Sequence, residues 1–99
     1  MGNINKNEIF EIDLKVINHE KGNILKFINE NDINFFGFGE IYFSHIKYNL
    51  IKGWKKHLRM SMNLTVIKGN VKFVFFDSNK NFICEKIIGT DNYKIITVP

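Results

Sequence analysis

Ile9-Phe10-Glu11-Ile12-Asp13-Leu14-Lys15-Val16-Ile17 is the stretch whose reading decides the fold. Phe10, Ile12, Leu14 and Val16 are apolar, and Glu11, Asp13 and Lys15 between them are charged. Strict alternation is the mark of a strand with one face on a core and one in water, because successive side chains of a strand leave on opposite sides. His19-Glu20-Lys21-Gly22-Asn23 then reads as a turn, with Gly22 free to take a positive φ. Ile24 to Ile28 is a second strand, and the two predict a hairpin.

Downstream, Asn29 to Asn34 is polar and loop-like. Glu40 to Lys47 alternates again and predicts a third strand, with Ile41, Phe43 and His45 on one side. Tyr48-Asn49 predicts a turn, and Leu50 to Trp54 a short strand broken by a bulge at Gly53. Met60 to Ile67, Val71 to Phe76, Phe82 to Ile88 and Tyr93 to Val98 are the remaining predicted strands. The turns between them are Lys68-Gly69-Asn70, Asp77 to Asn81 and Gly89 to Asn92. No segment carries a 3.6-residue period. Short strands with turn signals every eight to twelve residues, in a chain of 99 residues, predict one all-β domain over 1–99, a sandwich or barrel.

Composition narrows the class. Hydrophobic residues make up 44% of the chain and charged residues 24%, a globular balance. Cys84, the single cysteine, has no intrachain partner for a disulfide, which favours a reducing compartment. It alternates with apolar neighbours and reads as a small buried hydrophobe. No N-terminal stretch has the pattern of a secretory signal, and the longest apolar run, Phe73 to Phe76, is strand-sized. The sequence therefore predicts a cytoplasmic protein with no membrane partner. The formal charge of +4 suits an anionic ligand. Its lysines are dispersed, and no basic helix, zinc motif or aromatic–basic ladder marks a nucleic-acid partner.

The segment from Gly39 to Asp77 carries the functional signal. Gly53 precedes a polar and aromatic cluster, Trp54-Lys55-Lys56-His57; a strand follows, then the turn glycine Gly69, then a strand ending at Asp77. Glycine, site strand, turn glycine and returning strand, in that order, resemble the first cupin motif. Lys52-Gly53-Trp54-Lys55-Lys56-His57 is similar to the site strand of the dTDP-4-dehydrorhamnose 3,5-epimerase family and the related dTDP-sugar ketoisomerases. There a basic residue, a glycine, a variable residue and a histidine open the strand. Glu20-Lys21-Gly22-Asn23 is similar to an upstream turn of the same family. The resemblance spans Ile9 to Pro99.

What it implies is a cupin-type jelly-roll β-sandwich or barrel, paired as a homodimer and acting on a dTDP-linked keto sugar without metal or organic cofactor. In that family a histidine removes a proton beside the sugar ketone, a lysine stabilises the enolate, and a tyrosine returns a proton. Chemistry of this kind needs a base titrating near neutrality and a cation where negative charge develops. On this chain the base-histidine position falls on Lys55 and the enolate-lysine position on Met62. Lysine is protonated near neutral pH unless its surroundings depress its pKa. His57 matches the second histidine of the ketoisomerase pattern and is the candidate base, with Lys55 beside it. Lys21, Lys52 and Arg59 are candidate contacts for the diphosphate, and Tyr42 a candidate wall of the same cavity. The family continues for several strands after the Val-Pro at which this sequence stops. The resemblance thus implies a fragment, or a shortened relative that covers an open sheet edge by oligomerising.

Plainer readings of the same residues stand beside these. Lys55 and Lys56 read equally as solvated surface, and Lys52 and Arg59 as charges that protect an edge strand. Trp54 reads as a core or rim aromatic. His19 and His45 are expected to do no chemistry. A metal cupin needs paired histidines, a glutamate and a later histidine; with Lys55 and Met62 at two of those positions, the sequence argues against a metal site. Three functions stay open: a sugar-nucleotide epimerase or isomerase of cell-surface polysaccharide synthesis, a non-catalytic binding or assembly cupin, and a structural dimer with an empty pocket.

Overall fold

The computed structural model describes residues 8–53, 61–77 and 79–99. Among them every regular element is a strand: β1 (Phe10–Asp13), β2 (Val16–Ile17), β3 (Ile24–Leu25), β4 (Met62–Leu64), β5 (Asn70–Phe76), β6 (Phe82–Gly89) and β7 (Lys94–Val98). All-β is therefore the class. The strands form three small sheets, β1-β7-β4, β2-β3 and β5-β6, and every pairing is antiparallel. No helix among the described residues is long and apolar enough to cross a membrane.

The organising element is β7. It lies between β1 and β4, pairing Ile12 with Ile95, Phe10 with Thr97 and Leu64 with Ile96. Ile95, Ile96, Thr97 and Val98 are all buried, so both faces of this strand are covered. On one face Ile96 and Val98 cluster with Ile9 and Ile88, and Met62, Leu64, Val66, Phe73, Phe75, Ile83 and Cys84 pack against them. The β5-β6 hairpin supplies five of these eleven residues, so it packs against the β1-β7-β4 sheet through this cluster. Each such isoleucine contributes roughly 1.5–3 kcal/mol through burial. Cys84 packs against this cluster but is half-buried, where its alternation with apolar residues predicts full burial.

Polar contacts bind the layers at their edges. Glu11 meets Lys94 at 3.3 Å and Lys86 at 3.9 Å, which links β1 to β7 and β6. The β6-β7 turn is also latched to the turn before β5: Thr90 N–H donates to the Gly69 carbonyl (2.8 Å), and Gly69 N–H donates to Thr90 Oγ1 (2.9 Å). Gly69 holds a φ of +80°, which an L side chain rarely adopts. Gly89 is needed for a different reason. A Cβ there would overlap the Gly69 carbonyl oxygen and the Asn70 side chain.

The expected hairpin at the start of the chain is present, with two changes. Its turn is as read: Gly22 has a φ of +132° and donates to the His19 carbonyl (3.0 Å). The predicted strand from Ile9 to Ile17 changes partner midway, however. Leu14 N–H still donates to Tyr93 O (3.1 Å), whereas Lys15 O already accepts from Lys26 N–H (2.9 Å). One extended segment thus serves two sheets as β1 and β2. The second strand is shorter than expected, Ile24–Leu25.

Farther on, Val71 to Phe76 and Phe82 to Ile88 form the predicted hairpin, with a bulge at Phe75/Phe76. Asp77 closes its turn by accepting from Asn79 N–H and Asn81 N–H, each at 2.9 Å. The strand expected over Met60 to Ile67 is Met62–Leu64 among the described residues. Among the described residues two expected strands, Glu40 to Lys47 and the described part of Leu50 to Trp54, do not form. Neither has a ladder, and every residue from 35 to 53 is exposed. Their alternation is real, but no described strand offers them an edge, and a strand without a partner leaves its backbone to water. The Tyr48-Asn49 turn does form, with Leu50 N–H on Lys47 O (3.1 Å) and Asn49 at a φ of 60°.

Candidate functional site

The second face of the β1-β7-β4 sheet carries Phe10, Ile12, Ile95, Thr97 and Asn63, the residues paired in register and out of phase with the core set. Residues 26–34 cross this face and are fastened to it at one end. Asn34 Nδ2 donates to Thr97 Oγ1 (3.1 Å), Thr97 Oγ1 donates to Asn63 Oδ1 (2.7 Å), and Asn63 Nδ2 donates to the Asn34 carbonyl (2.8 Å). The ring is closed through the Asn34 backbone, whose carbonyl accepts from the Asn63 amide. Asn34 is 3% exposed and Thr97 0%, and polar groups buried so deeply are tolerated because they are paired. At the other end Tyr93 Oη donates to the Lys26 carbonyl (2.8 Å). Between these fastenings lies a cavity of about 290 Å³.

The cavity is lined by both apolar and charged residues. Ile12, Leu14 and Ile95 come from the sheet, and Phe27, Ile28 and Ile33 from the crossing segment. Lys15, Lys26, Asp13 and Asp32 border it. The loop at its end is self-braced: Asn29 N–H donates to Asp32 Oδ2 (2.9 Å), Asn31 N–H to Asn29 Oδ1 (2.8 Å), and Phe35 N–H to Asp32 O (3.0 Å). An apolar pocket with a few fixed polar groups is the usual form of a small-molecule site. Burial pushes the neighbouring Tyr93 phenol above its ordinary pKa, partly offset by the Thr65 hydroxyl. Tyr93 is therefore a proton-bearing donor at neutral pH and fixes the crossing segment without carrying charge. The Glu11 carboxylate, by hydrogen bond and by charge, likewise holds the Lys94 ammonium above its ordinary value, with a lesser part from Asp13.

The described residues among those singled out from the sequence lie elsewhere. Lys55, His57 and Arg59, with Trp54 and Lys56, lie outside the described residues. Lys21 is on the exposed β2-β3 turn, its N–H on His19 Nδ1 (3.0 Å). Lys52 Nζ donates to Ser44 Oγ (2.7 Å) and to the His45 carbonyl (3.0 Å), so it braces residues 44–52. Tyr42 is exposed on the same segment. None of Lys21, Tyr42 and Lys52 lines the cavity. Among the described residues no group of three or more histidines, cysteines, aspartates or glutamates could hold a metal ion.

Asn34, Asn63 and Thr97 had only a faint signal in the sequence. Thr97 is a polar residue in an otherwise apolar run, Ile95 to Val98, and Asn63 interrupts Met62–Leu64 in the same way. A polar residue where a buried strand wants an apolar one points to a partner. It does not say which, and here the partner is 63 residues away.

No family model matches this chain, no curated protein matches it, and no solved structure matches its fold.

Proposed function

We propose that this chain is a cytoplasmic, non-catalytic small-molecule-binding domain of the cupin-type jelly-roll kind, working as a homodimer, and that its ligand is a dTDP-linked keto sugar or a fragment of one. The observation that carries the reading is the cavity between β1-β7 and residues 26–34, which is lined by apolar residues together with Asp13, Lys15, Lys26 and Asp32. Its volume, about 290 Å³, stands at the lower edge of the roughly 300–1,000 Å³ typical of ligand sites. The ligand class comes from the order of Gly22, Lys52-Gly53, His57 and Gly69 along the chain. Lys55 and Met62 in place of the expected base and enolate cation favour binding without turnover.

The second reading is catalytic: a dTDP-4-dehydrorhamnose 3,5-epimerase-like isomerase of polysaccharide synthesis. His57 at the second histidine position supports it, because an imidazole suits proton transfer near pH 7. Thermal unfolding with and without millimolar dTDP tests both. Binding to the native state stabilises it in proportion to the logarithm of ligand over Kd, about 2.7 kcal/mol at a hundredfold excess. An unchanged midpoint removes both readings. Where the midpoint rises, exchange of solvent deuterium into a dTDP-4-keto sugar separates them: no exchange leaves the binder, and exchange abolished by His57→Ala establishes the isomerase.

A further inference from the structure

The ring of Asn34, Asn63 and Thr97 can run in one direction only, and a backbone atom sets it. The Asn34 carbonyl can only accept, so Asn63 turns its nitrogen to that carbonyl (2.8 Å) and its oxygen to Thr97 (2.7 Å). The Thr97 hydroxyl has a single proton, and it goes to the Asn63 oxygen. Toward Asn34 the hydroxyl must therefore accept, and Asn34 presents Nδ2 to it (3.1 Å). The atom left over is Asn34 Oδ1. Turning this amide over would set its oxygen against a hydroxyl with no proton to give.

Among the described residues no N–H or O–H donates to Asn34 Oδ1. Asn34 is nevertheless buried, at 3% exposure. Thr97, buried as deeply, both takes and gives a bond inside the ring. A buried polar atom without a partner is rare in a folded protein and calls for a reason. Asn34 also lines the cavity, and its co-lining side chains Ile12, Phe27, Ile28, Ile33 and Ile95 have no hydrogen-bonding group.

We propose that Asn34 selects the ligand of the cavity: its locked amide oxygen accepts one N–H from a flat, uncharged ring seated among these apolar side chains. One unclaimed acceptor suits a group with one donor. A polyhydroxylated ring would bury several hydroxyls, each needing a partner of its own. A ring that brings a methyl group or a carbonyl oxygen to the same place leaves Oδ1 orphaned, which is the strong form of discrimination. The proposal rests on the small-molecule reading of the cavity and adds to it the polarity of the group recognised.

The test compares thymidine, whose base has one imide N–H, with N3-methylthymidine, which has lost it. Each is titrated into the intact, isotope-labelled chain and followed by NMR. Thymidine is expected to shift the amides of residues 12–15 and 26–34 and to move the side-chain carbonyl resonance of Asn34. N3-methylthymidine is expected to bind about tenfold or more weakly and to leave that resonance in place. In Asn34→Ala, with folding checked by its amide spectrum, the two nucleosides should bind within about twofold of each other. Equal affinity of the two in the parent chain overturns the proposal and leaves the cavity reading standing, and it does so whether or not the variant folds. Thymidine binding in the cavity with the Asn34 carbonyl resonance unmoved has the same meaning. Thymidine that shifts no residue of the cavity overturns both.

Discussion

Residues 94–98 and residues 40–47 look alike as sequence and differ completely in the molecule. Lys94-Ile95-Ile96-Thr97-Val98 and Glu40-Ile41-Tyr42-Phe43-Ser44-His45-Ile46-Lys47 are both short, rich in isoleucine or aromatic residues, and free of glycine and proline. The first is the centre of a sheet, with four consecutive buried residues. The second forms no ladder and is exposed throughout, Phe43 to 84%. Strand-forming composition is permissive; it becomes structure only where two edges are within reach. β7 has β1 on one side and β4 on the other. Segment 40–47 has no described edge on either.

The contrast can be broken by substitution, and the largest effect is expected at the sheet centre. Ile96→Ala removes a fully buried side chain from the core cluster. It should destabilise the fold by about 2–5 kcal/mol in urea unfolding; a loss well below 1 kcal/mol would mean that β7 is not the packing centre. Asn34→Ala should have a smaller effect, about 1–3 kcal/mol, because it takes away the amide that donates to the Thr97 hydroxyl in a buried place. Amide exchange in residues 27–34 should quicken in that variant ahead of exchange in β5 and β6. Uniform quickening would show that the crossing segment has no fastening of its own. Phe43→Ser should change unfolding free energy by no more than about 0.5 kcal/mol, as for other exposed positions. A cost above 1 kcal/mol would place Phe43 in a packed environment and erase the contrast.

The same contrast explains what the sequence disclosed. The β5-β6 hairpin was legible nearly to the residue, because its alternation, the Asp77–Asn81 turn and Gly69 are all local signals. The Gly22 turn was legible for the same reason. The change of partner at Leu14–Lys15 was not, since Leu14 and Lys15 continue the alternation and nothing in it records which strand accepts the hydrogen bonds. The cavity was hidden because its walls come from residues 12–15, 26–34 and 95, joined only by the fold. Of the six residues chosen from the motif, three lie outside the described residues, and Lys21, Tyr42 and Lys52 lie away from the cavity. Motif order speaks of ancestry and chemistry, whereas a pocket depends on long-range pairing.

That pairing also sets an order of assembly. Among the described residues β1 at 10–13 pairs only with β7 at 94–98, and β4 at 62–64 pairs with the same strand. During synthesis the middle of the sheet therefore leaves the ribosome after both of its flanks. The β2-β3 and β5-β6 hairpins close on neighbouring residues and can form early. The three-stranded sheet, with the ring of Asn34, Asn63 and Thr97 behind it, waits for one late segment to be threaded between two earlier ones. Contacts this distant along the chain make for slow folding. In the interval the flanking strands stand open to any other edge the cell presents.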